Sequence, residues 1–323
     1  MSASRLSLFA LLLVASLVGV ARAAVLPGPL VTPEWLAANA DKVVILDVRD
    51  YPEEYRGAPT FETDANGKKS LVEVGGHIPG ARLVDFAKIR TARVIDGRKI
   101  SGMVLEASAF EQLMQQAGVK AGQAIVIAST GSAIEDFDGA ARLYWTLKYY
   151  GAKEIAILDG GYVRWLDEGR PTEDAPPAVT AGDWVASAPR DDLLADTTEV
   201  QAAMSSGLQL VDARPLAFFF GLTKRSAVAA YGHIPGSRVL PTDLRAKPQG
   251  SGFRYLAADD YRRALAGMQI ESDRPTITYC NTGHMAAGAW FILSEVLGNP
   301  AVSLYDGSMV EWADGKRPVA NSR

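Results

Sequence analysis

The chain has 323 residues, of which 48% are hydrophobic, and its formal net charge is -4. This length suits two domains of about 150 residues each. The mild negative charge argues against the basic surface by which proteins recognise nucleic acid or an anionic membrane. The single cysteine rules out an internal disulfide.

Residues 1–23 are typical of a secretory signal peptide. Arg5 supplies a basic start, an apolar run covers 6–20, and Ala21-Arg22-Ala23 fits the small-residue pattern of a cleavage site. The apolar run is short for a segment that crosses a bilayer. We therefore expect cleavage, a mature start near Ala24, and a soluble protein in the periplasm or outside the cell.

Strand and helix patterns alternate through the next part of the chain. Thr32-Pro33 predicts an N-cap and a first helical residue, with the helix running to about Ala40. Strand patterns follow at 43–46, 81–84, 124–128 and 154–158, helical patterns at 108–117 and 139–150, and a long loop at 51–75. This alternation predicts a parallel sheet with helices on both faces.

The second half repeats three motifs of the first half in the same order. An Asp-x-Arg strand end, a Gly-His-Ile-Pro-Gly turn and an Asp-Gly pair followed by tryptophan recur about 150 to 165 residues later. The first residues of these motifs are Asp47, Gly76 and Asp159 in the first half, and Asp212, Gly232 and Asp306 in the second. We interpret the chain as a duplicated domain, with copies at 24–170 and 193–323 joined by a linker at 171–192 that is rich in proline.

Cys280 is the only cysteine and follows a short strand pattern at 276–279. A tight loop comes next, then a run of small residues that opens an apolar helix to about Leu297. In α/β sheets such loops bind ligands, and the free N–H groups at a helix start favour a thiolate over a thiol. The alternative is that Cys280 is a small buried hydrophobe, which is a common role for a lone cysteine.

Taken together, the ordered motifs and the cysteine loop resemble a tandem-domain rhodanese, a sulfurtransferase, from about Val31 to Trp312. The resemblance implies an α/β fold of two tandem rhodanese-like domains, each a mostly parallel sheet flanked by helices on both faces. In that family the catalytic cysteine is usually kept only in the C-terminal copy.

The first copy of this chain fits that asymmetry. Aligning Gly139 with Ala286 places a serine at or near the position of the cysteine, within a loop at 129–138 that is four residues longer than the loop at 280–285. Three acidic side chains of the longer loop would repel an anionic substrate there: Glu135, Asp136 and Asp138. We expect an inactive first copy that forms a wall of the active cleft.

The resemblance also implies the chemistry. Cys280 would take the outer sulfur of thiosulfate, release sulfite, hold a persulfide within inward-directed N–H groups, and pass the sulfur to cyanide or a thiol. The expected substrate-binding residues are Asn281, Thr282, Gly283, His284, Met285 and Arg214. We expect no cofactor and no metal, because the three histidines and one cysteine lack ligand spacing. The expected partners are a small sulfur donor and its acceptor, with no nucleic acid and no membrane after signal cleavage.

We favour thiosulfate as the sulfur donor, and 3-mercaptopyruvate is the alternative. Relatives that prefer thiosulfate often carry cations in the active loop, whereas only His284 can become a cation in this one. A substrate-binding arginine of some relatives would fall near Phe218, so that contact is missing unless Lys224 or Arg225 replaces it. For Arg214 we favour an ion pair with a neighbouring carboxylate over contact with substrate.

Two further functions are weighed against the enzyme. A cysteine phosphatase needs an arginine that grips phosphate with two hydrogen bonds, and Ala286 stands at that position. A non-catalytic binding module or sulfur carrier remains an alternative. His77 and His233 occur in both copies, whereas only one copy has the cysteine, so we expect these histidines to be structural.

Overall fold

The computed structural model describes residues 26–67 and 69–321. The signal peptide expected at 1–23 and the mature start at Ala24 lie outside these residues. Within the described part of the chain, every helix is too short or too polar to cross a membrane.

The first copy opens with the predicted helix. Strand β1 (Leu30–Val31) precedes α1 (Pro33–Asn39), and the Thr32 hydroxyl caps the helix by accepting a hydrogen bond from the Trp35 N–H at 3.2 Å. The other elements are β2 (Val43–Arg49), β3 (Thr60–Thr63), β4 (Lys69–Glu73), β5 (Arg82–Asp85), β6 (Arg90–Ile95), β7 (Arg98–Val104), α2 (Ala107–Gln116), β8 (Ala124–Ser129), α3 (Ile134–Tyr149), β9 (Ile155–Leu158) and α4 (Gly161–Asp167). The main sheet has the order β1-β9-β8-β2-β5, and all neighbours are parallel.

The second copy has the same architecture. Its elements are β10 (Leu194–Ala195), α5 (Thr197–Ser206), β11 (Gln209–Asp212), α6 (Leu216–Phe219), β12 (Arg238–Val239), β13 (Lys247–Gln249), β14 (Gly252–Arg254), α7 (Ala258–Gly267), β15 (Thr276–Tyr279), α8 (His284–Phe291), β16 (Val302–Tyr305) and α9 (Ser308–Asp314). A π-helical segment, Ile292–Val296, continues α8. The sheet order β10-β16-β15-β11-β12 is parallel throughout, so the predicted fold is confirmed.

Two β-hairpins in the first copy depart from the sequence prediction. The expected loop at 51–75 contains the antiparallel pair β3–β4, and β6–β7 forms a second hairpin that the sequence did not indicate. All residues of β3 are exposed, and β4 is exposed except for its half-buried centre. A strand that buries neither face lacks the apolar alternation by which strands are recognised.

The segment between the copies packs along the first copy. The Glu173 backbone pairs with the His77 backbone through two hydrogen bonds of 2.8 and 3.0 Å. Further along, Trp184 is buried with its ring edge-on to Phe110, at a centroid distance of 5.7 Å. The segment therefore extends the core of the first copy before the chain enters the second.

Among the described residues, two fully buried ion pairs join the copies, and each includes a residue of the central helix α3. Arg142 of α3 reaches Asp306 of the second copy at 2.6 Å, and Arg245 of the second copy reaches Asp138 of α3 at 2.9 Å. All four side chains are almost completely excluded from solvent. The arrangement is reciprocal, since each copy supplies one arginine and one aspartate.

Each copy also contributes a hairpin that packs against the other copy. The first copy contributes β6–β7 and the second contributes β13–β14. At the end of β7, the Val104 N–H donates to the Asp306 carboxylate at 2.7 Å, and just after β14 the Tyr255 N–H donates to the Asp159 carboxylate at 3.0 Å. Ile100 of β7 is buried in the apolar core of the second copy. The hairpin β6–β7 thus forms part of the wall of the second copy.

We predict that Arg142→Met lowers the free energy of unfolding by about 3–5 kcal/mol, because it leaves Asp306 buried without its cation. Chemical denaturation followed by tryptophan fluorescence measures this change. The control is Arg262→Met, whose ion pair with Asp259 is exposed, and we expect a change within about 0.5 kcal/mol. Equal effects of the two substitutions would contradict the importance given to the buried pair.

Candidate active site

The loop Cys280–Gly283 connects the end of β15 to the start of α8. The parallel register places Tyr279 beside Asp212 of β11, so Cys280 leaves the sheet at its carboxyl edge. Gly283 closes the loop in a left-handed conformation, with φ at +73°. A Cβ there would collide with the Asp306 carboxylate and the Arg142 guanidinium, so glycine is required.

Ser308 ties the loop to the start of α9. Its hydroxyl accepts hydrogen bonds from the Cys280 N–H at 3.0 Å and the Gly283 N–H at 3.2 Å, and it donates to the Tyr305 carbonyl at 2.8 Å. The sequence motif included Ser308 but suggested no role for it. A signal was present, since the aligned position in the copy without cysteine is Gly161.

Several N–H groups next to Cys280 are not used within the protein. The N–H groups of Asn281 and Thr282 have no acceptor among the residues that the structure describes. His284 and Met285 occupy the first turn of α8, where N–H groups have no acceptor inside the helix. The loop therefore combines a single thiol with unused donors and the positive end of a helix dipole.

Cys280 lies at the boundary between the apolar core and a cleft between the copies. Its exposed fraction is only 1%, and on one side it belongs to the core cluster. On the other side it lines a cavity of about 430 Å³, which we call the cysteine cleft. The second copy contributes Arg225, Cys280, Asn281, Thr282, His284 and Met285, and the first copy contributes Asp50, Tyr51, Phe86, Arg90, Ala133, Glu135 and Asp136.

His284 lines the cleft as a neutral group. Its ring packs on Phe86 with a centroid distance of 4.4 Å. Burial lowers the pKa of His284 well below its usual value, and the positive charges of Arg90, Arg245 and Arg142 lower it further. His284 therefore does not supply the positive charge that the sequence interpretation considered for it.

Arg90 and Arg225 supply positive charge to the cleft instead. Neither forms an ion pair with a carboxylate among the described residues. The Arg90 guanidinium lies 4.1 Å from the centre of the Phe86 ring. Burial lowers the pKa of Arg90, and the positive charge of Arg142 lowers it further.

Lys224 and Arg225 were the two residues that could replace the arginine missing near Phe218. Arg225 lines the cleft, whereas Lys224 donates to the Val228 carbonyl at 2.7 Å. Arg90 was not predicted as a site residue, because it belongs to the hairpin that the sequence did not indicate.

The comparison with protein families agrees with this geometry. The family profile described as Rhodanese-like domain matches twice, at residues 32–168 and 196–314. The chain belongs to the rhodanese family. It is 29% identical over 301 residues to a protein of Corynebacterium glutamicum named thiosulfate sulfurtransferase, covering 89% of this chain and 88% of that protein.

Two other similar proteins have different names. The sulfur carrier protein TtuD of Thermus thermophilus is 27% identical over 284 residues, which cover 84% of this chain and 94% of TtuD. The crystal structure of SseA from Escherichia coli, described among 3-mercaptopyruvate sulfotransferases, aligns with a TM-score of 0.69 and 25% identity. That alignment covers 87% of this chain and 98% of SseA.

The two rhodanese-like domains differ at the position of the cysteine. The register pairs Ala128 with Asp47 in the first domain and Tyr279 with Asp212 in the second, so Ser129 is equivalent to Cys280, as predicted. The prediction of a loop over the whole of 129–138 is wrong in detail, because α3 already begins at Ile134. Helix α3 begins five residues after Ser129 and α8 four residues after Cys280, so most of the extra residues form an additional first turn of α3.

This additional turn brings acidic side chains to the cysteine cleft rather than to a cleft of the first domain. Glu135 and Asp136 line the cysteine cleft. The Asp136 carboxylate also accepts hydrogen bonds from Ser132 and Ala133 at 2.9 and 3.0 Å, and burial raises the pKa of Asp136 despite these bonds. Asp138 faces Arg245 in the interface, where burial raises the pKa of Asp138 to about 7 against the opposing effect of that arginine.

Arg214 has the ion-pair role that the sequence favoured. It binds the Asp212 carboxylate at 2.6 Å and the Gly232 carbonyl at 2.8 Å. Burial disfavours its charge, but Asp212 outweighs this and raises the pKa of Arg214. Arg214 does not line the cysteine cleft; its guanidinium reaches the Asn281 side chain at 3.5 Å and so positions that residue. In the first domain Arg49 makes the equivalent contacts without a neighbouring cysteine, which supports a structural role.

The two histidines of the repeated turns are structural, as predicted. His77 stacks on Tyr55 and His233 on Phe219, with centroid distances of 3.8 and 3.7 Å. In each case Nδ1 hydrogen-bonds the backbone carbonyl of the stacked aromatic residue. Among the described residues, no group of three or more His, Cys, Asp or Glu side chains is arranged to hold a metal ion.

We predict that the imidazole of His284 stays neutral from pH 8 to well below 6.5, which is its ordinary pKa. Proton NMR of the three histidine rings, with His284→Gln to assign the signal, measures this directly. Arg90→Gln should raise the pKa of His284, because it removes a repelling charge while the main cause, burial, remains. A His284 signal that titrates near 6.5 in the wild-type protein is the contrary outcome.

Proposed function

We propose that the protein is a sulfurtransferase that moves sulfane sulfur from thiosulfate to cyanide or a thiol through a persulfide on Cys280. The observation that carries the proposal is the position of the only cysteine. Cys280 ends a parallel strand, precedes a helix with unused N–H groups, and lines a cleft that contains two arginines without carboxylate partners in the described chain. The name of the Corynebacterium glutamicum relative supports the same activity.

In the first half-reaction the Cys280 thiolate attacks the outer sulfur of thiosulfate. A bond forms between Sγ and that sulfur, the sulfur–sulfur bond of thiosulfate breaks, and its electron pair leaves with sulfite. The negative charge that remains is on the outer sulfur of the persulfide. The N–H groups of Asn281 and Thr282, together with the first turn of α8, are suited to stabilise it.

The two arginines of the cleft support thiosulfate over 3-mercaptopyruvate as the donor. Thiosulfate is a dianion, and Arg90 and Arg225 offer two guanidinium groups. Sulfite leaves without needing a proton, whereas the carbon that loses sulfur in mercaptopyruvate must gain one. His284, held neutral, is a poor source of that proton. The structural similarity to SseA supports mercaptopyruvate as the alternative donor.

The second half-reaction returns Cys280 to its starting state. A thiophilic acceptor attacks the outer sulfur and the Sγ–sulfur bond breaks, so donor and acceptor react in turn with one residue in a ping-pong scheme. A sulfur carrier, the alternative supported by the similarity to TtuD, forms the same persulfide but passes it to a partner protein. Repeated turnover with a small acceptor distinguishes an enzyme from a carrier.

We also propose that the protein is exported. The support is the sequence of residues 1–23 alone, with its basic start, apolar run and Ala21-Arg22-Ala23 cleavage pattern. Sequencing the N-terminus of the protein from the periplasm or medium should show Ala24 as the first residue. A product that keeps residues 1–23 and stays with the cytosol would oppose export.

We expect wild-type protein incubated with thiosulfate to gain the mass of one sulfur atom on the Cys280 peptide, and to release an equal amount of sulfite. Cys280→Ser should do neither while unfolding at the same temperature, because the substitution is nearly isosteric. Intact mass spectrometry measures the adduct, and a parallel incubation with 3-mercaptopyruvate tests the other donor. If Cys280→Ser releases sulfite at the wild-type rate, Cys280 is not the nucleophile.

The position of the active loop should depend on Gly102 in the first domain. A Cβ at Gly102 would lie 2.9 Å from Thr282 Cβ, so we predict that Gly102→Ala lowers kcat about tenfold, a loss typical of misplaced reacting groups. Gly97→Ala is the matched control, because Gly97 also has a positive φ in this hairpin but has nothing within 4 Å of its Cβ position. Sulfite release with cyanide as acceptor measures kcat, and equal losses in both variants would indicate backbone strain alone.

A further inference from the structure

A second cavity of about 500 Å³ adjoins the cysteine cleft, and we call it the side arm. The two cavities share the four residues Arg90, Arg225, Asn281 and Thr282, whereas Cys280 lines only the cleft. The side arm therefore begins next to the reacting sulfur and extends away from it. Its volume lies within the range of small-molecule sites, roughly 300–1,000 Å³, and thiosulfate in the cleft leaves it empty.

The side arm is built by both domains. Its wall from the first domain is the hairpin β6–β7, with Ala92 and Ser101 exposed at its rim. The second domain supplies Ala227, which is exposed, and Val228, which is buried. Small side chains on both sides leave a space that solvent reaches, and a ligand can enter it without passing the cysteine.

The charge of the side arm is positive only. Its lining residues include Arg90 and Arg225 and no aspartate or glutamate, in contrast to the cysteine cleft with Asp50, Glu135 and Asp136. The Nε of Arg90 is buried without a hydrogen-bond partner among the described residues. A buried donor on a cation without a carboxylate partner favours an anionic ligand at the junction of the two cavities.

We propose that the side arm binds the sulfur acceptor, and that this acceptor is a thiol of short-peptide size that carries a carboxylate. This inference rests on the proposed function, because it concerns the second half-reaction at the same cysteine. The carboxylate binds at Arg90 and Arg225, the body of the molecule occupies the side arm, and the thiol points past Asn281 and Thr282 to the persulfide. Cyanide is small enough to react from the cleft without using the side arm.

The transfer step is balanced without a further reagent. The acceptor thiol loses its proton to solvent, and its thiolate attacks the outer sulfur of the Cys280 persulfide. A new sulfur–sulfur bond forms to the acceptor, and the bond to Sγ breaks with its electron pair staying on Cys280. The products are the acceptor persulfide and the free Cys280 thiolate, which is ready for the next donor.

The test compares glutathione, its diethyl ester and cyanide as acceptors for thiosulfate-loaded protein. The ester has the same thiol with its carboxylates masked. For the wild-type protein we expect a KM for glutathione about tenfold below that for the ester, a difference typical of a charged hydrogen bond. In Ala92→Trp, which fills the side arm, the ratio of kcat/KM for glutathione to that for cyanide should fall about tenfold, and the preference for glutathione over the ester should disappear.

The matched control is Val94→Trp, on the same strand two residues further along, where the side chain is 73% exposed and lines neither cavity. It should keep the wild-type ratio. Ala227→Trp fills the side arm from the opposite wall, so it repeats the test if Ala92→Trp does not fold.

Equal KM values for glutathione and its ester in the wild-type protein would overturn the proposal. So would a glutathione-to-cyanide ratio that Ala92→Trp and Ala227→Trp leave unchanged. Failure of the proposed function itself is distinguishable, because persulfide formation is measured by intact mass before any acceptor is added. A persulfide that forms and is discharged without these preferences rejects the side arm alone.

Discussion

The buried ion pair between Arg142 and Asp306 is the interaction on which the active cleft depends. Both side chains are almost completely buried, so removing either partner would leave the other charge without compensation inside the domain contact. Arg142 also donates to the carbonyl of Gly283 at 3.3 Å, and Asp306 accepts from the N–H of Val104, the last residue of the hairpin β6–β7. One pair of charges therefore fixes the domain contact, the end of the cysteine loop and the hairpin that carries Arg90.

The two domains share the same order of five parallel strands, as expected for a duplication, and the differences between them are local. Each domain receives a hairpin from the other, and Gly102 contacts Thr282 as Gly252 contacts Gly131. In the first domain Ser129 stands at the position of Cys280, and an additional turn of α3 faces the other domain's cleft. The first domain has in this way become a wall of the second domain's site, to which it contributes both an arginine and carboxylates.

The parts of this structure that could be predicted have a strong local signal. Strands such as β2 and β8 are buried on both faces and appear as apolar runs, and the turn at Gly232 to Gly236 has a fixed shape, so the sheet and the duplication follow from the sequence. The hairpin β6–β7 could not be predicted, because its mostly half-buried strands mix charged and apolar residues without a regular apolar alternation. Arg90 was missed with it, and the neutral state of His284 depends on burial and on three arginines from both domains, which only the folded arrangement brings together.

The positions of the charged side chains around the cysteine cleft depend on which domain supplies them. Both arginines stand at the junction with the side arm, next to Asn281 and Thr282, whereas the carboxylates of Asp50, Glu135 and Asp136 line only the cysteine cleft. An anion that enters is repelled by the carboxylates and attracted to the junction, which adjoins the thiol. Because His284 is neutral, the positive charge at the junction comes from Arg90 and Arg225. The positive charge at the junction therefore comes from both domains, and a single rhodanese-like domain of this chain lacks one of the two arginines.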